Sequence, residues 1–64
     1  MKKIILFVKD KRKGLGLTQE DLAKRAGVGL RFIRDLEQGK EALKTDTLNK
    51  VLNLFGKTLG PVDL

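Results

Sequence analysis

The sequence predicts an all-α fold of four short helices followed by a short C-terminal extended strand. Apolar residues recur at the spacing of about 100° per residue that lines one face of a helix. A glycine follows each of the four apolar segments, in a position to end a helix. We expect helices at residues 3–13, 18–26, 30–38 and 45–55 and an extended tail at 57–64.

The size and composition of the chain limit its function. The 64 residues are enough for one domain, 1–64, and a chain of this size buries only about 60% of its unfolded surface, so we expect help from a partner chain. Cys and His are absent, which excludes disulfides, thiolate or imidazole metal sites, and Ser-His or Cys-His catalysis. We expect no enzymatic activity, no metal and no cofactor.

The first residues are not typical of a targeting segment. The apolar run from Ile4 to Val8 is too short for a signal peptide, no small-residue cleavage site follows it, and no segment is long enough to cross a membrane. We expect a cytoplasmic protein without membrane attachment.

The net charge of +6 is unevenly distributed. Residues 1–13 carry six Lys or Arg and one Asp, which gives +5, residues 28–44 carry +1, and the two remaining segments balance. This excess favours an anionic partner such as nucleic acid, although a basic balance also serves solubility.

The first predicted helix has one apolar face. That face carries Ile4, Ile5, Val8 and Leu15. Arg12 falls on the same face, and Gly14 and Gly16 should end the helix. The β-branched residues leave a strand as the alternative.

The second predicted helix has a signal at each end. Thr18 and Asp21 have the spacing of a capping box, and Gly27 can end the helix in the left-handed conformation. The buried stripe comprises Leu22, Ala23 and Ala26. About two turns of helix are too short to be stable alone.

The third and fourth predicted helices are amphipathic. The third turns Ile33 and Leu36 inward, with Leu30 and Phe32 on the flanks. Its opposite face carries Arg31, Arg34, Asp35 and Gln38. Glu37 projects onto the apolar side and Gly39 ends the helix. The fourth has Thr45 as its cap and Gly56 as its end, with Leu48, Val51, Leu52 and Phe55 in register.

The Gly27-Val28-Gly29 stretch joins the second and third predicted helices. A dinucleotide fingerprint needs a preceding strand and a third glycine, but here a helix precedes Gly27 and Phe32 occupies the third position. We therefore interpret the stretch as a tight corner, with Val28 tucked under it. Helix, glycine-containing turn and helix is the helix-turn-helix pattern, although an ordinary αα-hairpin fits the same spacing.

Two charged residues fall on apolar faces. Arg12 lies on the stripe of the first helix and Glu37 on that of the third, and burial of either alone would cost several kcal/mol. We expect them to form a structural ion pair that fixes the first helix across the third and leaves Arg31 and Arg34 free for a ligand.

The stretches "LTQEDLAKRAGV" and "FIRDLEQGK" resemble the Xre/Cro helix-turn-helix group, which includes the lambdoid phage repressors. The resemblance covers about residues 5–56, and the run "GLRFIRDLEQGK" with the extended tail is most similar to HipB-type antitoxins. It implies a lambda-repressor-like fold in which an Arg of the first helix pairs with a Glu near the end of the third, positions that here are Arg12 and Glu37. Two features depart from the family: Gly29 replaces the usual Ser or Thr cap, and the fifth helix of phage repressors is replaced by "KTLGPVDL".

The resemblance also implies which residues contact double-stranded DNA. By resemblance the third helix is the recognition helix, which enters the major groove with its N-terminal residues at base edges. We assign the base contacts to Gly29, Leu30, Arg31 and Arg34. We assign the phosphate contacts to Thr18, Gln19, Lys40 and Lys44. Thr18 and the amides at the start of the second helix offer an anion site, and Gln19 would also brace the recognition helix. The alternative is that the charged residues only form a solvated face.

The remaining predictions concern partners. By resemblance, Leu59 and Val62 would form a tail strand that pairs with a second subunit, so we expect a homodimer on a near-palindromic operator. Leu6 and Phe7 lie outside the apolar stripe and are expected to be exposed, as contacts for a second subunit or another protein. The sequence predicts a dimeric repressor of its own operon, and the resemblance to HipB-type proteins implies the antitoxin of a toxin-antitoxin pair. The alternative is a module that mainly sequesters a HipA-type toxin kinase.

Overall fold

The computed structural model describes residues 2–40 and 43–57, and every regular element within them is a helix. The predicted all-α class with four helices is confirmed. The helices are α1 Lys2–Gly14, α2 Gln19–Ala26, α3 Leu30–Glu37 and α4 Thr45–Leu54. The predicted C-terminal strand falls beyond residue 57 and lies outside the described residues.

Helix α1 buries Val8 completely and half-buries Ile4 and Ile5, so the alternative of a strand is wrong. The helix ends at Gly14, and Gly16 follows with a φ of 69°, a conformation that glycine adopts without steric cost. Leu15 was predicted to continue the apolar stripe, but its side chain is 62% exposed. That prediction is wrong because the chain leaves the helix before Leu15, so helical spacing no longer sets its direction.

The core lies where α2 meets its neighbours, because α2 packs against both α3 and α4, and α1 packs against α3. The buried apolar residues are Val8, Leu22, Ala23, Ile33, Leu36, Leu48, Val51 and Leu52. Burying a large aliphatic side chain contributes about 1.5–3 kcal/mol. These tertiary contacts, rather than helix propensity, stabilise the two-turn helix α2.

The N-cap of α4 lies one residue before the predicted one. The N-cap residue is Lys44, with extended backbone angles, and no side chain caps the helix there. Thr45 is instead the first helical residue, so its predicted capping role is wrong. Gly56 follows the helix with a φ of 75°, as expected for its end.

The two apolar residues outside the α1 stripe have different environments. Leu6 is 54% exposed, as predicted. Phe7 is half-buried against the core, and its ring meets that of Phe55 edge-on with centroids 6.0 Å apart. The ammonium of Lys11 lies 5.8 Å from the Phe7 ring centroid, so the prediction that Phe7 is exposed is wrong.

None of the helices within residues 2–40 and 43–57 combines the length and the apolar character needed to span a bilayer.

Candidate nucleic-acid interface

The corner between α2 and α3 is held by backbone geometry. Gly27 has a φ of 72° and a ψ of 34°, which is the left-handed region that side chains disfavour. This conformation lets the amide of Val28 donate to the carbonyl of Ala23 at 3.0 Å. Gly29 then serves as the N-cap of α3 with a φ of −73°. The predicted sharp bend is therefore present, and Val28 is half-buried beneath it.

The start of α2 is fixed by a complete capping box. The amide of Asp21 donates to Thr18 Oγ1 at 3.0 Å, and the amide of Thr18 donates to Asp21 Oδ2 at 3.1 Å. These two hydrogen bonds hold the pKa of Asp21 below its ordinary value. The Asp21 carboxylate thus already occupies the helix start at which an anion site was predicted.

Behind α3, the structure brings Arg12 and Glu37 together in a bidentate pair. Arg12 Nε donates to Glu37 Oε2 at 2.7 Å and Nη2 donates to Oε1 at 2.9 Å. The third guanidinium nitrogen, Nη1, donates to the carbonyl of Leu17 at 2.9 Å. The side chains of Arg12 and Glu37 are only 13% and 3% exposed. This buried contact holds α1 against the end of α3.

Gln19 completes this buried network. Its Nε2 donates to Glu37 Oε1 at 3.2 Å, which ties the start of α2 to the last residue of α3. The sequence predicted that Gln19 both binds phosphate and braces the recognition helix; the structure supplies a bracing contact. No buried side-chain nitrogen or oxygen of the described residues lacks a hydrogen-bond partner.

The network keeps Glu37 ionised. Burial raises the pKa of Glu37, but hydrogen bonds from Arg12 and Gln19 and the charges of Arg12 and Lys9 outweigh it, and the net pKa is lowered. The hydrogen bond to Glu37 conversely raises the pKa of Arg12. Both groups are therefore charged at neutral pH, and the pair is a true ion pair.

The outer side of α3 forms an open groove of about 210 Å³, which we call the α3 groove. It is lined by Arg31, Arg34, Asp35, Gln38 and Lys40. Both arginines are exposed, and their spacing of three residues places them on the same face of the helix. The structure thus brings three of the predicted DNA-contacting residues, Arg31, Arg34 and Lys40, into one concave surface.

The other predicted DNA contacts are not among the residues that line the α3 groove. Gly29 is exposed at the start of α3, whereas Leu30 is half-buried against the core and presents only part of its side chain. Lys44 is exposed at the start of α4. The predicted dimer contacts, Leu59 and Val62, lie outside the described residues.

Sequence reasoning assigned no role to two members of the α3 groove, Asp35 and Gln38. Asp35 had been placed on the polar face of α3 without a role, yet it lines the groove and its carboxylate pairs with Lys40, with Nζ 3.6 Å from Oδ1. The available signal was its position four residues after Arg31, which puts both on one stripe of the helix.

Comparison with known proteins agrees with this architecture. Residues 8–62 match the helix-turn-helix family. The chain is 49% identical over 45 residues to the uncharacterized HTH-type transcriptional regulator y4mF of Sinorhizobium fredii, covering 70% of this chain and 59% of that protein. It is 34% identical over 58 residues to the ImmF control region 10 kDa protein of Bacillus phage phi105, covering 91% of this chain and 64% of that protein.

The chain therefore spans somewhat under two thirds of the length of both relatives. No solved structure is significantly similar to it. The match over residues 8–62 includes the corner at Gly27, the α3 groove and the Arg12–Glu37 pair that supports it. The chain belongs to the helix-turn-helix family of the Xre type.

Proposed function

We propose that this chain is a sequence-specific, double-stranded DNA-binding transcriptional regulator, whose α3 enters the major groove. The observation that carries the proposal is the α3 groove, in which Arg31 and Arg34 are exposed together on a helix anchored from behind. Its two similar relatives are named as a transcriptional regulator and as a control-region protein, which supports the same function.

The chemistry of the groove fits base recognition. The guanidinium of arginine can donate two parallel hydrogen bonds to O6 and N7 of guanine, a pattern that only the major groove displays. Arg31, in the first turn of α3, is our principal candidate for this contact, and Arg34 follows one turn later. Because the turn at Gly27 and the Arg12–Glu37 pair fix α3 on both sides, these donors approach DNA on a rigid support.

Contacts with the phosphate backbone would supply most of the affinity. Lys40 lines the α3 groove, and Lys44 is exposed four residues later in the chain. Thr18 is exposed at the start of α2. A protein that neutralises several phosphates releases counterions, so binding weakens steeply as salt rises, by about 10³–10⁵-fold between roughly 50 and 200 mM for about 6–10 phosphate contacts.

The substitution Arg31→Ala tests the proposal. With DNA fragments from the chain's own promoter region, we expect Arg31→Ala to weaken binding by about 1–3 kcal/mol and to relax the preference for one base position. Lys50→Ala is the matched control, because it removes one positive charge from an exposed position on α4. If gel shifts give Arg31→Ala and Lys50→Ala the same affinity and base preference as the parent, α3 is not the recognition helix.

The finer parts of the proposal concern assembly and regulation. A homodimer would place two α3 helices in successive major grooves about 34 Å apart on a near-palindromic site, and occupation of the chain's own promoter would repress its operon. Light scattering of the chain with and without its last seven residues tests whether Leu59 and Val62 form the dimer contact, since only their loss should yield a monomer.

A toxin-binding function rests only on the resemblance to HipB-type antitoxins. In that hypothesis the fold mainly holds a partner kinase, and DNA binding is secondary. Co-purification of the product of the adjacent gene would support it, whereas a salt-sensitive footprint from the chain alone supports the regulator function.

A further inference from the structure

The α3 groove contains a carboxylate among its cations, and a surface built only to bind phosphates gains nothing from one. Asp35 lines the groove together with Arg31 and Arg34. Like charges a few ångströms apart repel each other, so an ionised Asp35 would oppose a nearby phosphate. Lys40 already pairs with this carboxylate at 3.6 Å, and any further partner that it gains in the groove must be a hydrogen-bond donor.

The structure positions Asp35 but leaves part of the hydrogen-bond acceptor capacity of its carboxylate unused. The chain turns back after α3, so that the amide of Lys40 donates to the carbonyl of Asp35 at 3.0 Å, and the Lys40 ammonium lies 3.6 Å from Oδ1. This separation exceeds the roughly 2.7–2.9 Å of a charge-assisted hydrogen bond. An ionised carboxylate offers about four acceptor sites, and the Asp35 side chain is 26% exposed. Acceptor capacity is thus left facing the groove.

The major groove of DNA offers such an acceptor few partners. Guanine presents two acceptors, and thymine presents an acceptor and a methyl group, so both disfavour a carboxylate. Adenine presents its amino group beside the N7 acceptor, an arrangement that suits an amide side chain. Cytosine presents the N4 amino group without an adjacent acceptor of its own. A carboxylate therefore matches cytosine best.

We propose that Asp35 is a specificity-determining residue of this site, which selects cytosine at one position by accepting a hydrogen bond from its N4 amino group. This inference rests on the proposed DNA-binding function. Arg31 lies four residues earlier on the same stripe of α3, so a guanine bound by Arg31 and the cytosine bound by Asp35 would be close neighbours. The Lys40 ammonium, 3.6 Å from Oδ1, offsets the repulsion between this carboxylate and the phosphates.

Selection from duplex DNA with a randomised central segment tests this inference. The parent chain should select a cytosine close to a selected guanine, and replacing that cytosine should lower the affinity about tenfold. Asp35→Asn keeps the shape but adds donor capacity, so its selected sequences should change to adenine at that position, which an amide binds through N6 and N7. Asp35→Ala should select no base there.

Asp10→Asn is the matched control. It removes the same charge from an exposed position on α1, two residues from both Val8 and Arg12 and therefore pointing away from α3. We expect it to retain the cytosine. Melting curves of each variant verify that loss of the partly exposed Asp35–Lys40 pair leaves the fold intact.

The possible failures are distinguishable. If the parent enriches no sequence and binds duplexes of random sequence no better than a charge-matched peptide, the DNA-binding function itself is wrong. If the parent enriches a defined sequence and Asp35→Asn enriches the same one, the function stands and the role of Asp35 is refuted. Enrichment of adenine by the parent at the position that Asp35→Ala relaxes would also overturn the assignment to cytosine.

Discussion

Removing Arg12 should destabilise the protein more than its single charge suggests. Arg12→Ala deletes two hydrogen bonds to Glu37, at 2.7 and 2.9 Å, and one to the carbonyl of Leu17 at 2.9 Å. Glu37, 3% exposed, would retain only the contact from Gln19 at 3.2 Å. The fold would then have to accommodate a carboxylate that has lost its counterion.

The magnitude follows from that geometry. Breaking a buried pair by removing one partner costs about 3–5 kcal/mol, and water entering the space left by the partly exposed guanidinium favours the lower end. A chain of this length has a total stability of roughly 3–10 kcal/mol at about 0.05–0.15 kcal/mol per residue. Since 1 kcal/mol shifts the Tm of such a domain by about 4–8 °C, we expect Arg12→Ala to lower it by more than about 10 °C.

Thermal unfolding followed by far-ultraviolet circular dichroism measures this loss, and two variants separate its causes. Lys13→Ala alters the neighbouring, exposed residue of α1 and should change stability by less than about 0.5 kcal/mol. The double variant Arg12→Met with Glu37→Leu should regain most of the stability, because apolar side chains of similar volume often replace a buried ion pair without loss. Equal melting temperatures for Arg12→Ala and Lys13→Ala would refute the reasoning.

Two further predictions concern the stability of the protein in acid and the corner between α2 and α3. The folded-state pKa of Glu37 lies below its unfolded value, so its carboxylate contributes stability that is complete above the unfolded pKa of about 4.3 and is lost as the pH falls through the folded pKa. The double variant Arg12→Met with Glu37→Leu should lack this part of the acid dependence. An identical pH profile of stability for the parent and the double variant would contradict this prediction. Gly27→Ala should destabilise by about 1–2 kcal/mol because its φ is 72°. Gly29→Ser, at a φ of −73° with open space for a side chain, should instead stabilise the protein by about 0.5 kcal/mol, because the serine hydroxyl can cap α3. If chemical denaturation ranks the two glycine variants in the opposite order, the description of this corner is wrong.

The features predictable from sequence were those set by local chemistry. The spacing of Leu22, Ile33 and Leu36 marked the buried faces of α2 and α3, and Thr18 with Asp21 marked the start of α2, because capping and periodicity act within a few residues. The juxtaposition of Arg12 with Glu37 was also accessible, since two charges on apolar faces of a small domain have few partners except each other.

Other contacts that depend on the tertiary path of the chain were not predictable from local patterns. Periodicity of α1 alone could not show that Phe55, at the end of α4, covers Phe7. A bracing role of Gln19 was predicted, but not that its acceptor is Glu37, 18 positions away. The pairing of Asp35 with Lys40 was missed because it depends on how the chain turns after α3. Leu15 was misplaced because helical spacing was continued past the end of the helix.

The exposed α3 groove as the DNA-reading surface is the central claim, and guanine methylation interference tests it most directly. Methylation at N7 blocks the acceptor that an arginine would bind in the major groove. We expect methylation of at least one guanine in the bound site to abolish binding by the parent chain and to have no such effect on the residual binding of Arg31→Ala. Binding that is unaffected by N7 methylation at every guanine, or an interference pattern that is the same in both proteins, would contradict the account.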